Sequence, residues 1–548
     1  MSTATRIAAL LPRRSDWTRA DLRRDPMAGI MVGLVALPLA LGFGVSSGLG
    51  AKAGLITAVV AGALAAIFGG SRVQVSGPTG AMTVVLVPIV ATHGADGVLV
   101  VGLLAGLVLI GLGYAGAGRF IRYVPVPVVE GFTIGIAAII ALQQLPAALG
   151  VEVHSDKVIG LAAASVEAFV QDPEWVSLAL TTAVVAAILV LARLRPTWAG
   201  ALVVVVAATV ANTLLDLGAA TIGAIPAGLP APSIPTVPVS DLQTLLLPAI
   251  AVAALAALES LLSATVADGM AVGERHDPDR ELVGQGIANL ASPLFGGLPA
   301  TAAIARTAVN VRAGAVSRLA SVTHAVFLLL VVLVAARWVA EIPLAALAGV
   351  LVATAVQMVR VSSLSALVRS TRGDAVILVV TAAATLAFDL VTAVILGLVV
   401  AGFVALRQTA QTARLEEVPF DESDHADHTA EERALLDDHV VAYRLEGPLF
   451  FGAAHDFLLE LSDVSDVRVV ILRMSHVTTL DATGAHVLAD TISRLEGRGI
   501  TVLLSGVRPE HERVLRELGV HEELADARHL FASTPEAIVH ARQHASRG

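Results

Sequence analysis

Glu259 is the only ionisable residue between Leu242 and Ala267, in an apolar run of leucine, alanine and valine long enough to cross a bilayer. A carboxylate left ionised in hydrocarbon costs several kcal/mol, so such a residue is expected to pair with a cation or take up a proton. Ser263 follows four residues on, which puts both side chains on one helical face. Together they offer a carboxylate and a hydroxyl for a proton or a small cation. The competing reading is a carboxyl kept protonated by burial and hydrogen-bonded to a neighbouring helix.

The elements that must position this pair are membrane spans. The chain has 548 residues, is 56% hydrophobic and has a mean hydropathy of +0.79, well above a soluble globular protein. Apolar runs recur from Met27 to about Leu406, each able to span roughly 30 Å of hydrocarbon. The first follows an arginine-rich start (Arg6, Arg13, Arg14, Arg19, Arg23, Arg24) and precedes further spans, so it reads as a first transmembrane helix rather than a cleaved signal. The chain has no cysteine, which excludes disulfides and thiolate metal sites. Charge divides the chain: residues 416–548 hold 25 acids against 12 arginines, and the remainder 21 acids against 24 basic residues. The expected domains are an N-terminal segment (1–27), a transmembrane unit (28–415), an acidic linker (416–438) and a soluble domain (439–548). An acidic tail poor in aromatics excludes a nucleic-acid partner.

Fourteen segments are expected, near 28–47, 53–69, 78–92, 97–115, 124–149, 176–192, 198–216, 243–267, 282–296, 301–311, 317–340, 342–359, 374–388 and 390–407. With the N-terminus inside, eleven arginines from Arg72 to Arg372 fall in cytoplasmic loops, and only Lys52, Lys157 and Arg337 fall outside. Both termini are then cytoplasmic, and Pro226 to Pro238 form an external connection. Two segments are interrupted. Gly69-Gly70-Ser71-Arg72-Val73-Gln74-Val75-Ser76-Gly77-Pro78-Thr79-Gly80 and Gly296-Gly297-Leu298-Pro299-Ala300-Thr301-Ala302-Ala303-Ile304-Ala305-Arg306-Thr307 share the order double glycine, proline, small-residue helix start. Each is third in its half of the chain. Paired interruptions at matching positions point to a transporter site, where half-helix N-termini direct positive dipole ends at an anion. Seven segments per half requires the halves to be inverted.

The tail reads as α/β. Strands are expected over 440–445, 467–472 and 501–504, with helices near 455–461, 485–495 and 509–518, and Asp481 as an N-cap. Among polar residues in the spans, Glu130, Gln143, Gln144, Asn289 and His324 read as helix-to-helix hydrogen-bond partners, and Asp389 as a cap.

Val73 to Gly80, Leu258-Glu259-Ser260-Leu261-Leu262-Ser263, Glu281 to Asn289 and Ala300 to Arg306 resemble the SulP family of anion transporters, and the tail resembles its STAS domain. The likeness covers nearly the whole chain. It implies a polytopic α-helical membrane protein of fourteen segments in two inverted repeats of seven, with core and gate domains, a cytoplasmic α/β STAS domain, an elevator-like movement and a homodimer. It places substrate contacts at Phe43, Thr79 and Gly80 and at the opposing helix start, Ala303, Ile304, Ala305 and Arg306, and coupling at Glu259 with Ser263. A glutamate at the coupling position matches members thought to use protons. Where sodium-coupled members have a hydroxyl, this chain has Ile304, so H+ is expected ahead of Na+, and no cofactor. Ala300 to Arg306 looks most like bacterial C4-dicarboxylate carriers. Arg306 could hold a carboxylate or sulfate by two points. The expectation is a proton-coupled dianion symporter of the bacterial inner membrane, not an enzyme, with C4-dicarboxylate ahead of sulfate and bicarbonate third. A sodium-coupled bicarbonate carrier and an uncoupled exchanger or channel are the alternatives. Where signalling relatives of the STAS domain carry a phosphorylatable serine this chain has Ala482, which favours docking of a cytoplasmic protein partner.

Overall fold

The computed structural model describes residues 21–153, 155, 157–194, 200–224, 228–235, 242–270, 275–388, 390–411, 414–417, 439–450, 467–524 and 527–545. The chain folds as two compact units, the first ending at Val399 and the second beginning at Val400.

The first unit is helical, because a backbone crossing hydrocarbon must satisfy its polar groups within its own segment. Its helices are α1 (Asp21–Ser46), α2 (Gly50–Phe68), α3 (Gly80–Tyr114), α4 (Val126–Gln143), α5 (Leu145–Leu149), α6 (Val158–Gln171), α7 (Trp175–Leu194), α8 (Gly200–Leu214), α9 (Leu242–Met270), α10 (Pro278–Leu294), α11 (Ile304–Arg312), α12 (Arg318–Ala340), α13 (Leu344–Met358), α14 (Val361–Ser370), α15 (Arg372–Ala387) and the first half of α16 (Leu390–Ala410), whose second half falls in the second unit. Two short strands, β1 (Ser76–Gly77) and β2 (Thr301–Ala302), fall in the interrupted segments. Among the described residues nine helices are long and apolar enough to cross a membrane. The segments expected at 78–92 and 97–115 form one run, α3, broken at Gly94, where φ is 67° and the backbone leaves helical geometry. Helices α6 and α14 were not anticipated. With 14 and 10 residues, neither has the long apolar run that marks a span.

Helix contacts in this unit rest on small residues that let backbones approach. A Cβ on Gly54 would stand 1.9 Å from the Ala40 carbonyl oxygen, and one on Gly284 2.4 Å from the Gly69 Cα. The same holds between Gly29 and the Ala320 carbonyl at 2.3 Å, and between Gly131 and the Leu378 carbonyl at 2.5 Å.

The second unit is a six-stranded sheet with flanking helices. Its elements are β3 (Arg414–Glu417), β4 (Val440–Leu449), β5 (Val469–Arg473), β6 (Val477–Leu480), α17 (Ala482–Gly497), β7 (Thr501–Ser505), α18 (Pro509–Glu517), α19 (Val520–Glu523), β8 (Leu530–Phe531) and α20 (Thr534–Ala545). The order is β3-β4-β5-β7-β8, with β6 beside β4; β3 and β4 are antiparallel and every other pairing is parallel. Side chains alternate across β5. Val470 and Leu472 meet Leu488 and Ile492 of α17 on one face, and Val469 and Ile471 meet Ala537, Ile538 and Ala541 of α20 on the other. Asp481 caps α17, accepting from the Gly484 N–H at 2.7 Å. Residues 418–438, Asp389 and the helix expected near 455–461 lie outside the described residues.

His511 on α18 is buried, and that burial holds its imidazole below the usual range; Glu510 opposes the shift and Arg508 adds to it. The folded unit therefore keeps His511 neutral where the unfolded chain, with a pKa of about 6.5, binds a proton. Stability falls as pH drops below that value. His511→Gln is expected to flatten part of the loss of melting temperature between about pH 7 and pH 5, read by thermal unfolding of the two forms side by side. In the membrane unit, Gly54→Ala forces a methyl into the Ala40 carbonyl and is expected to destabilise by about 1–3 kcal/mol, measured as a lower unfolding temperature in detergent and a smaller yield of monodisperse protein.

Candidate anion-binding site

The two interrupted segments meet. Strands β1 and β2 pair antiparallel, Ser76 opposite Ala302 and Gly77 opposite Thr301, and the Ala303 N–H donates to the Val75 carbonyl at 3.0 Å. Two residues per strand cannot satisfy the irregular backbone on either side, and surrounding helices supply the rest. The Asn310 amide donates to the Val73 carbonyl at 2.7 Å and the Ser321 hydroxyl to the Gln74 carbonyl at 2.7 Å. Val75 N–H donates to the Thr307 hydroxyl at 3.1 Å, and Ala302 N–H to the Ser260 hydroxyl at 3.2 Å. Asn289 holds both polar groups of Ala300, at 2.8 and 2.9 Å, and Glu281 accepts from the Gly70 and Ser71 N–H groups at 2.8 and 3.1 Å. Gln285 bridges Ser76 and Glu281.

This bracing leaves two helix starts side by side. Thr79 caps α3, its hydroxyl accepting from the Met82 N–H at 3.3 Å and donating to the Glu259 carboxylate at 2.8 Å. Glu259, from the middle of α9, is half-buried. The opposing start is α11. Its N-cap, Ala303, has no side-chain acceptor, so the first-turn amides of Ile304, Ala305 and Arg306 receive no cap, and Ala305 is exposed. Such amides, with the dipole behind them, favour a negative charge. Gly80 opens α3 with no side chain. A Cβ there would sit 2.2 Å from the Ile140 Cδ1 and 3.1 Å from the Phe43 Cε1, which places Phe43 against the helix start.

Three expectations about side chains change. Arg306 does not present a free two-pronged guanidinium: it is 1% exposed, one nitrogen donates to the Pro78 carbonyl, and Nη1 is buried beside Gly77 without a hydrogen-bond partner. The next residue, Thr307, is tied to Val75 just before β1, and that tether keeps Arg306 behind the helix start rather than in front of it. Ser263 does not join Glu259, because its hydroxyl donates to Thr307 at 3.1 Å. Among the expected helix-to-helix partners, Glu130 accepts from Ser363 at 3.0 Å and Gln144 bonds Ser46, whereas Asn289 serves irregular backbone. His324 has neither ring nitrogen hydrogen-bonded, although the side chain is buried beside Gly62. Sequence reasoning did not single out Ser260, Gln285, Thr307, Asn310 or Ser321 as braces. A usable signal was present in Glu281, Gln285 and Asn289, polar residues four apart that form a stripe along α10.

Arg306→Ala is expected to leave the Pro78 carbonyl without its buried charged donor and to cost about 1.5–3 kcal/mol, read as a drop in unfolding temperature. Arg306→Lys should recover only part, since an ammonium restores charge without the planar fork.

The chain aligns with known proteins over nearly all its length. YvdB of Bacillus subtilis strain 168, whose name marks it as a candidate sulfate transporter, is 35% identical over 528 residues, 93% of this chain and 96% of that protein. The bicarbonate transporter BicA of Synechocystis is 32% identical over 515 residues, 91% of each chain. The solved transmembrane domain of a cyanobacterial BicA superposes with a TM-score of 0.62 at 32% identity, over 70% of this chain and 98% of that one. Murine Slc26a9, an anion transporter solved in an inward-facing state, superposes with a TM-score of 0.83 over 99% of this chain and 95% of that one; at 18% identity this shows the fold. YvdB and BicA are named for sulfate and bicarbonate, so they lend no support to the expected likeness to dicarboxylate carriers. Residues 22–381 match the Sulfate permease family and residues 434–537 the STAS domain, and the chain belongs to that family of multi-pass membrane anion transporters, with an α/β STAS domain at its C-terminal end.

Proposed function

We propose that this chain is a proton-coupled anion symporter of a bacterial inner membrane, with both termini cytoplasmic, working as a homodimer by an elevator-like movement. The observation that carries the reading is the 2.8 Å bond from Thr79 to Glu259 beside the uncapped start of α11. When Glu259 is ionised, its charge opposes an incoming anion and its oxygen holds the Thr79 hydroxyl. A proton on Glu259 removes that charge. The positive ends of α3 and α11 then face the anion unopposed, with the charge of the buried Arg306 behind them, so proton and anion bind together. Thr79, Gly80, Phe43 and the amides of Ile304 to Arg306 are assigned to the anion. Ala303 helps little, since its N–H is already donated to Val75. Ser263 contributes at most a lone pair to coupling.

The cargo is read as a dianion, and the names of the relatives move sulfate ahead of C4-dicarboxylate. A second reading, sodium-coupled bicarbonate transport, is favoured by the 32% identity to BicA. Against it, Ile304 offers no side-chain oxygen to a hard cation. An uncoupled exchanger or channel is a third. The STAS domain is assigned to docking a cytoplasmic protein partner rather than to a phosphate switch, given Ala482 at the expected serine position.

Purified protein in liposomes, given labelled sulfate, succinate or bicarbonate with and without an imposed pH gradient, separates these readings. Glu259→Gln should abolish uphill, pH-driven accumulation while anion exchange partly persists, because the amide mimics the protonated acid but cannot cycle. Undiminished concentrative uptake would remove Glu259 from coupling. Replacing sodium by choline should change little, and a strong sodium requirement would move bicarbonate to first place.

A further inference from the structure

Three histidines of the second unit converge at its C-terminal helix. His540 and His544 stand four residues apart on α20, so their side chains leave from one face. His529 reaches them from the short turn Ala527–His529 that leads into β8. Ring centroids are separated by 5.4 Å for His529 and His540, 5.3 Å for His529 and His544, and 5.0 Å for His540 and His544. One ring nitrogen from each lies within 4.8 Å of the others. Phe531 of β8 backs the cluster, its ring 5.2 Å from that of His540. His529 is buried, His540 half-buried and His544 exposed, so the cluster opens to solvent on one side. The scaffold does not depend on the histidines: Ala537, Ile538 and Ala541 anchor α20 to the sheet.

Imidazole nitrogens suit zinc, copper and nickel, whereas magnesium and calcium require oxygen ligands. Three protein ligands with a fourth position left to water form a recurrent zinc geometry. We propose that His529, His540 and His544 form a binding site for one divalent transition-metal ion of the zinc class. Metal–nitrogen bonds of about 2.0–2.1 Å in a tetrahedron bring the nitrogens to roughly 3.3 Å apart, so the rings draw together on binding, with the half-buried His540 and the exposed His544 less held by packing than the buried His529. Two of the three ligands lie beyond residue 537, where the match to the STAS domain ends, so the site is an addition at the margin of the domain. A bound ion ties the last turn of α20 to the edge of the sheet at β8. This assignment is independent of the transport reading, since it rests on the second unit alone.

Full-length protein without an affinity tag, stripped of metal by a chelator, tests this by titration with Co2+ in detergent. One Co2+ per chain is expected, with the intense visible absorption of a tetrahedral ion, displaced by Zn2+ and not by Mg2+. His544→Ala, at an exposed position that leaves the core untouched, should weaken binding about tenfold or more, and His540→Gln should do the same. Size-exclusion profiles matching the unsubstituted protein certify folding of both variants. Absence of stoichiometric Co2+ binding, binding unchanged in both variants, or displacement by Mg2+ would each overturn the assignment.

Discussion

Irregular backbone placed among membrane helices has no water to bond, and this constraint orders the whole first unit. Residues 70–78 and 298–303 leave helical geometry, and each carbonyl or N–H they release needs a partner from elsewhere in the protein. The β1–β2 pairing meets only a few of these needs. Asn289, Ser260, Thr307, Asn310, Ser321, Glu281 and Arg306 meet many of the others. A neutral hydrogen bond of this kind contributes about 0.5–1.5 kcal/mol net, but an orphaned buried group costs about 1–3. The polar residues within otherwise apolar helices are therefore a requirement of the broken segments.

The bracing residues and the chemical residues alternate along the same helices. Ser260, which holds Ala302, is the neighbour of Glu259, and Thr307, which holds Val75, is the neighbour of Arg306. Fixing the one fixes the backbone from which the other projects. Glu259 thus meets Thr79 without any bond of its own to the strands, and the hydroxyl of Thr79 serves the cap and the carboxylate at once.

Much of this was legible in the sequence where a local rule suffices. Apolar run length placed most of the helices within a few residues, the glycine–proline order marked both broken segments, and Asp481 read as a cap. The division expected between 92 and 97 falls at Gly94, where the backbone of α3 leaves helical geometry and two helices meet at a kink. Orientation was not legible. Arg306 and Ser263 have the right types for an anion and a cation, yet Pro78 and Thr307 claim them, and these partners lie 228 and 44 residues away in the chain, beyond any local rule. The histidine cluster escaped notice for a related reason: His540 and His544 show helical spacing, but His529 joins them only once α20 folds back on β8.

The glycine contacts of the first unit are of two mechanical kinds. Where Gly54 meets the Ala40 carbonyl, Gly29 the Ala320 carbonyl and Gly131 the Leu378 carbonyl, main chain rests on main chain, and sliding would drive rigid atoms through one another. Where Gly80 meets Ile140 and Gly42 meets Leu351, main chain rests on the ends of flexible side chains that rotate among staggered rotamers. The first kind welds α1, α2 and α12 together, and α4 to α15. The second joins α3 to α4 at Gly80 and α1 to α13 at Gly42. Of these five contacts, the two at Gly42 and Gly80 resist sliding least, and Gly80 stands at the helix start where Thr79 holds Glu259.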